Sequence, residues 1–259
     1  MNDLVSVIIP VYNASQYIVE TLESVVNQTH KNLEIIVVDD CSKDNTYEVV
    51  QNYLSNCNVK FILKKCEQNY GGPAGPRNIG VNCSSGDYIA FLDADDIWHP
   101  KKIEIQLQIL ESSNAVLVSS LKYDFLDGES YNFKDNLNEI KTRDVSYNST
   151  LIKNTIYLSS VLINKDKLIY KFNEAKEYSG VEDYYLWLSL LKDGSKAILI
   201  KENLIAYRIL LSSLSRNKIK HSLKVLRVLR SYKAFTFPFY FMTYFLISYF
   251  RILKKSLAK

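Results

Sequence analysis

Four short runs rich in apolar and β-branched residues, at 5–9, 33–38, 59–63 and 88–92, alternate with helical patterns over the first 120 residues. That alternation predicts βαβ units and an α/β fold with a largely parallel sheet and helices on both faces. One intervening helix carries Ile18, Leu22, Val25 and Val26 on one side, and another carries Val49, Val50 and Tyr53, with Ser42 and Asp44 as candidate caps. The glycine- and proline-rich stretch 69–76 leads into a third helix. Pro76 suits its first turn, which sets Arg77 and Asn78 beside free backbone N–H groups. Polar residues follow the strands, Asp39-Asp40 after the second and Asp93-Ala94-Asp95-Asp96 after the fourth. In open α/β sheets this carboxyl edge is where ligands bind.

Three carboxylates within four residues repel one another, so the cluster at 93–96 calls for a cation. A hard divalent metal held by one or two carboxylates completes its shell with substrate phosphates, which predicts a phosphorylated ligand. The competing reading is a solvated turn with a helix cap. Beyond the cluster, residues 121–150 are polar, with a turn signal at Asp127-Gly128 and no firm assignment. The pattern resumes where Glu182-Asp183 opens an apolar helix, and two short strands are expected at 197–200 and 204–207.

Charge divides the chain. Of its 32 Lys and Arg, 11 lie in residues 216–259, which hold no Asp or Glu; the other 21 face all 28 acidic residues. A basic tail on an acidic body suggests an anionic partner surface, membrane or nucleic acid. Residues 219–232 place Ile219, Leu223, Leu226 and Leu229 at helical spacing, with Lys220, Lys224 and Arg227 on another face. Residues 234–250 are uncharged and carry nine aromatics around Pro238. Seventeen residues fall short of the roughly 20 needed to span a bilayer, and basic residues flank both sides, so the expectation is an anchor lying in the interface. A dimer or core helix, and after it a true span, are the alternatives. Nucleic acid is the less suitable partner for a phenylalanine-rich run. Cys41, Cys57, Cys66 and Cys83 show no zinc spacing, and the N-terminus lacks a secretory pattern, so reduced thiols and a cytoplasmic body are expected.

In combination and order, several stretches resemble the inverting, metal-dependent glycosyltransferases of family 2 with the GT-A fold. They are Val5-Ser6-Val7-Ile8-Ile9-Pro10-Val11-Tyr12-Asn13, Val38-Asp39-Asp40-Cys41-Ser42, Arg77-Asn78-Ile79-Gly80, Asp93-Ala94-Asp95-Asp96 and Glu182-Asp183. The resemblance runs from about residue 4 to 216, most tightly to 105. It implies a GT-A, Rossmann-like domain over 1–216, with a nucleotide-sugar half at 1–105 and an acceptor half at 106–216, followed by a tail at 217–259.

The same resemblance implies roles. Pro10 and Tyr12 line the nucleoside pocket, Asp40 accepts the uracil N3–H, and Arg77 faces the diphosphate. Asp93 contacts ribose or the metal shell, Asp95 ligates Mn2+ or Mg2+, and Asp96 contacts the donor sugar or orients that shell. Asp39 supports the loop. Asp183 is the base, with Glu182 beside it. Arg208 is a phosphate candidate in the segment 207–218 that closes over the donor, although Leu210 and Leu211 stand where relatives carry a histidine or other polar residue. Cys41 stands where glycine is common. Read singly, Tyr12 could be a packing aromatic, Asp40 a cap, Arg77 a surface cation and Glu182-Asp183 an acidic first turn.

The function expected is transfer of a sugar, hexosyl or N-acetylhexosaminyl, from a nucleotide donor, UDP-linked, to a hydroxyl of a lipid-linked saccharide. That reaction belongs to surface polysaccharide assembly, such as O-antigen or capsule. The enzyme is expected to lie peripherally on the inner face of the cell membrane through residues 217–255, with a homodimer open and no nucleic acid partner. The rivals are a polyprenyl-phosphate glycosyltransferase, whose nucleophile needs little base, and a non-catalytic donor-binding scaffold. The glycine-rich N-terminal signature of nucleotidyltransferases is missing, as are dinucleotide and P-loop fingerprints. His30, His99 and His221 read as structural or solvated.

Overall fold

A computed structural model describes residues 3–134, 137, 139–210 and 218–232. Four parallel strands form its first half: β1 (Val5–Val11), β2 (Leu33–Asp39), β3 (Lys60–Lys65) and β4 (Tyr88–Phe91), in spatial order β3-β2-β1-β4. Both faces of β1 and β2 are covered, which explains their near-continuous apolar runs. Alternate residues divide between two cores. Val5, Val7, Ile9 and Val11 join α1 (Ile18–Val26), α2 (Thr46–Ser55) and α4 (Lys102–Glu111), while Ile8, Ile36 and Val38 face the layer of α3 (Ala74–Cys83) and α6 (Glu182–Leu191).

The second half extends the same sheet through β8 (Leu162–Asn164), β6 (Leu117–Leu126), β9 (Ala197–Ile209) and β5 (Ile97–Trp98). Strand β8 runs antiparallel between β4 and β6, and β7 (Thr142–Val145) pairs with β9 off the main path. The two strands expected at 197–200 and 204–207 are one strand, β9, with a bulge that shifts its register against β6. Backbone pairing continues across the polar residues 201–203, which sequence pattern reads as a break.

Two helix starts meet expectation in part, with Pro76 in the first turn of α3 and Asp44 at the start of α2. Helix α3 begins at Ala74, so Arg77 sits a turn inside and its N–H already bonds Pro73 O (3.0 Å). On α2, Asp44 Oδ1 accepts from Thr46 N (3.1 Å), whereas Ser42 ties loops instead by accepting from Asn13 N (3.0 Å). Gly80 lets α3 lie flat on β1, since a Cβ there would fall 2.4 Å from Ile8 Cγ2.

Helix α7 (Lys218–Tyr232) is amphipathic as expected, but its apolar stripe is turned from the predicted one. Val225, Leu226, Val228 and Leu229 pack on Leu151 of α5 (Tyr147–Ile152) and on Val181, Tyr184 and Leu188, leaving Leu223 exposed. That face is covered by the protein's own surface and is not free for a membrane. No helix among the described residues is long and apolar enough to cross one. The side chain of Ile219, residues 211–217 and the aromatic run 234–250 lie outside the described residues.

Candidate active site

Strands β2, β1 and β4 are parallel neighbours, so their C-terminal ends bring Asp39-Asp40, Tyr12 and Asp93–Asp96 to one edge. Asp40 N donates to Val11 O (2.9 Å), and Asn13 and Ser42 bond across the same gap. Tyr12 is 47% exposed, a ring free to stack, next to the half-buried Pro10. Asp40 is buried, and burial pushes its carboxyl up although Tyr70 N donates to it (2.8 Å). Asp39 serves the loop as expected, accepting from Ser42 N (3.0 Å) and Ser42 Oγ (2.5 Å). Cys41 adopts φ +60°, a left-handed conformation that glycine takes at less cost.

Arg77, expected at the diphosphate, lies against the carboxylate loop. It is buried, with Nη2 donating to Asp93 Oδ1 (2.7 Å) and Nη1 to Glu182 Oε1 (2.7 Å), while Nε is buried without a partner. Phe172 covers the guanidinium at 5.4 Å. A planar fork suits this task, joining two carboxylates 89 positions apart in the chain. Both Nη groups are therefore engaged by acids of the chain.

Glu182 is fixed further by Gly180 N, which donates to Oε2 (2.5 Å). Asp183, at the N-terminal end of α6, accepts from Tyr184 N at Oδ1 (2.7 Å). Burial, and then the Glu182 charge, raise the Asp183 carboxyl to about 7. The acidic pair is thus more than a favourable first turn, because one member is locked to a cation and the other is poised to titrate near neutrality.

Arg208 is also buried. Its Nε donates to Asp95 O (3.1 Å), Nη1 to Asp127 Oδ1 (3.2 Å) and Nη2 to Glu20, and its plane lies over Phe125 at 4.7 Å. Arg208, a phosphate candidate by sequence, thereby clamps the carboxylate loop. Asp96, expected near the sugar, is fully buried and accepts from Ser159 Oγ (2.5 Å) and Arg208 N (3.3 Å). The sequence pattern pointed to neither Ser159 nor Asp127 as a partner, since both contacts join positions far apart in the chain.

A profile of Glycosyl transferase family 2 matches residues 6–171. The chain belongs to that family. This family 2 glycosyltransferase is 34% identical, over 88% of its length and 86% of the relative, to the Escherichia coli UDP-Glc:alpha-D-GlcNAc-diphosphoundecaprenol beta-1,3-glucosyltransferase WfaP. It is 35% identical, over 88% and 87%, to the putative teichuronic acid biosynthesis glycosyltransferase TuaG of Bacillus subtilis. Among solved structures it shares the fold of S. aureus TarS in complex with UDP-GlcNAc (TM-score 0.70, 22% identity, 88% of this chain and 65% of that one). It also shares that of mannosyltransferase PcManGT from Pyrobaculum calidifontis in complex with GDP-Man and Mn2+ (TM-score 0.69, 17% identity, 93% and 72%). The chain thus spans just under two thirds of the TarS chain.

The carboxylates left for a metal number two. Asp96 is turned inward, and among the described residues no three His, Cys, Asp or Glu side chains gather as a protein-only cage. Asp93 and Asp95 remain; burial, and then the Asp93 charge, raise the Asp95 carboxyl to about 6. Two crowded oxygen donors of this kind fit Mg2+ or Mn2+ whose shell is completed by a diphosphate.

Proposed function

We propose that this enzyme transfers a sugar from a UDP-linked donor to a hydroxyl of a saccharide carried on a lipid diphosphate, with inversion, in surface polysaccharide assembly. The observation that carries the reading is the Arg77 fork between Asp93 and Glu182, because it sets the donor-side carboxylates directly against the acidic pair. Tyr12 stacks on the base and Asp40 accepts the uracil N3–H with the oxygen not used by Tyr70. Asp93 and Asp95 hold the divalent metal, which when bound neutralises charge on the departing diphosphate.

Asp183 takes the proton. Its Oδ1 is held by Tyr184 N, which leaves Oδ2 for the acceptor O–H. As that proton moves to Asp183, the acceptor oxygen bonds to the anomeric carbon and the bond from that carbon to the UDP oxygen breaks, inverting the centre. A carboxyl near 7 suits a base at neutral pH, which favours a hydroxyl acceptor over a lipid phosphate that arrives already ionised. The lipid carrier is supported by the E. coli relative WfaP, a GlcNAc-diphosphoundecaprenol glucosyltransferase. Peripheral attachment at the cytoplasmic membrane surface then follows from the acceptor, with the tail beyond α7, residues 233–255, as the contact in place of the full 217–255.

The test is UDP release from a panel of UDP-sugars by the full chain, with and without a lipid-diphosphate-linked saccharide, and with Mn2+ or chelator. Acceptor-dependent, chelator-sensitive release that gives a product of inverted configuration supports the reading. Release that ignores chelator, or binding without turnover across the panel, overturns it.

A further inference from the structure

The loop that carries the metal-site carboxylates has one turn bond of its own, from Asp96 N to Asp93 O (3.2 Å), and is otherwise held from outside. Residues 93–96 leave β4 and turn toward β5, and their inward-facing groups are captured by other parts of the chain. Arg208 takes Asp95 O and donates its N–H to Asp96 Oδ1. Thr21 Oγ1 donates to Ala94 O (3.0 Å) and Arg77 Nη2 to Asp93 Oδ1 (2.7 Å), while both ends of the loop meet one side chain, Ser159, in the short turn Leu158–Ser160 that precedes β8. Ser159 Oγ donates to Asp96 Oδ2 (2.5 Å) and accepts from Asp93 N (3.1 Å), while Ser159 O accepts from Trp98 Nε1 (2.7 Å).

One hydroxyl therefore bonds both ends of a four-residue loop. It can do so because an O–H group donates once and still accepts, a pairing that alanine lacks. Ser159 is 4% exposed, so water does not readily replace it. Its own position is secured by that indole and by the neighbouring Ser160, whose carbonyl accepts from Gln106 Nε2 (2.7 Å). With Asp93 N, Asp95 O and all of Asp96 tied inward, the carboxylates of Asp93 and Asp95 are the groups the loop still offers.

We infer that Ser159 is a positioning residue for the divalent metal, setting the separation and direction of the Asp93 and Asp95 carboxylates through the backbone of their loop. The inference rests on the metal-assisted transfer proposed above. Partners that orient metal ligands act through affinity as well as rate, and their loss costs about 10- to 100-fold in either. Ser159→Ala removes both Oγ bonds. Ser159→Thr keeps the hydroxyl, and Ser159→Cys keeps the shape with longer, weaker bonds.

Mn2+ titrations of the full-length protein with UDP present, followed by the electron paramagnetic resonance signal of free Mn2+, read the effect without turnover. Circular dichroism melts show that each variant is folded. Expected is a loss of Mn2+ affinity of about 10- to 100-fold in Ser159→Ala, a smaller loss in Ser159→Cys, and a return to within about threefold of wild type in Ser159→Thr. If Ser159→Ala does not fold, the Cys and Thr variants carry the comparison. Wild-type affinity in a folded Ala or Cys variant, or a folded Thr variant no better than Cys, overturns the inference alone. Failure of the wild type to bind Mn2+ beside UDP overturns it together with the metal reading.

Discussion

Arg77 and Arg208 are the buried arginines among the described residues, and both grip the carboxylate loop. They grip it differently. Arg77 bonds side chains, with Glu182 only 5% exposed and Asp93 35% exposed. Arg208 bonds a backbone carbonyl and two surface acids, Glu20 and Asp127, that are 41% and 43% exposed. A buried pair loses much when one partner is removed, because the other charge stays behind without water; a half-exposed pair is rescued by solvent. The Arg77 end should therefore govern chemistry and the Arg208 end the shape of the loop.

The largest expected effect lies beside Arg77. Asp183→Asn removes the base but not the fork, and kcat should fall by about 10²- to 10⁴-fold with UDP affinity little changed, read by steady-state rates and calorimetry. Near-normal transfer would instead favour a phosphate nucleophile. Substituting lysine at each arginine separates the two ends directly. Lysine keeps the charge but cannot fork, so Arg77→Lys should cost about 100-fold in kcat and Arg208→Lys about tenfold. Equal losses, with melting temperatures matched, would dissolve the distinction.

The contrast also explains what the sequence could disclose. Strands β1, β2 and β4 are local patterns of apolar residues capped by polar ones, so Tyr12, Asp40 and Asp93–Asp96 were legible together with the edge they share. The acid pair at 182–183 was legible as a motif. Its partner was not, since the bond from Arg77 to Glu182 spans 105 positions and has no local trace. Ser159 and Asp127 were hidden for the same reason, and β9 was split in two because a bulge interrupts its alternation without ending its pairing. The tail helix was visible as amphipathic, yet its periodicity could not say whether protein or lipid covers its apolar side.

A pH profile sharpens the Arg77 end further. With the Asp183 carboxyl at about 7, its basic form is lost as pH falls through that value, so kcat should decline toward tenfold per unit on the acid side. Glu182 is the charge that adds to burial in holding Asp183 up. Glu182→Gln removes that charge and leaves Arg77 nearby, and both changes favour ionised Asp183. The acid limb should therefore move to lower pH by about one unit. A limb that stays in place would mean that the titrating group is not Asp183.

The smallest effect is expected at the outer rim of Arg208. Asp127→Asn removes one of its two charged partners while Glu20, Asp95 O and the Phe125 ring remain in contact. Because Asp127 is half in water, the lost pair should cost under about 1 kcal/mol in thermal unfolding, with kcat within about twofold. Tyr17 Oη also donates to Asp127 Oδ2 (3.1 Å), and an asparagine can still accept that bond through its amide oxygen. A large loss of activity in a stable Asp127→Asn protein would show that Arg208 depends on its rim. It would also move Arg208 into the same class as Arg77, where a single carboxylate decides whether the site works.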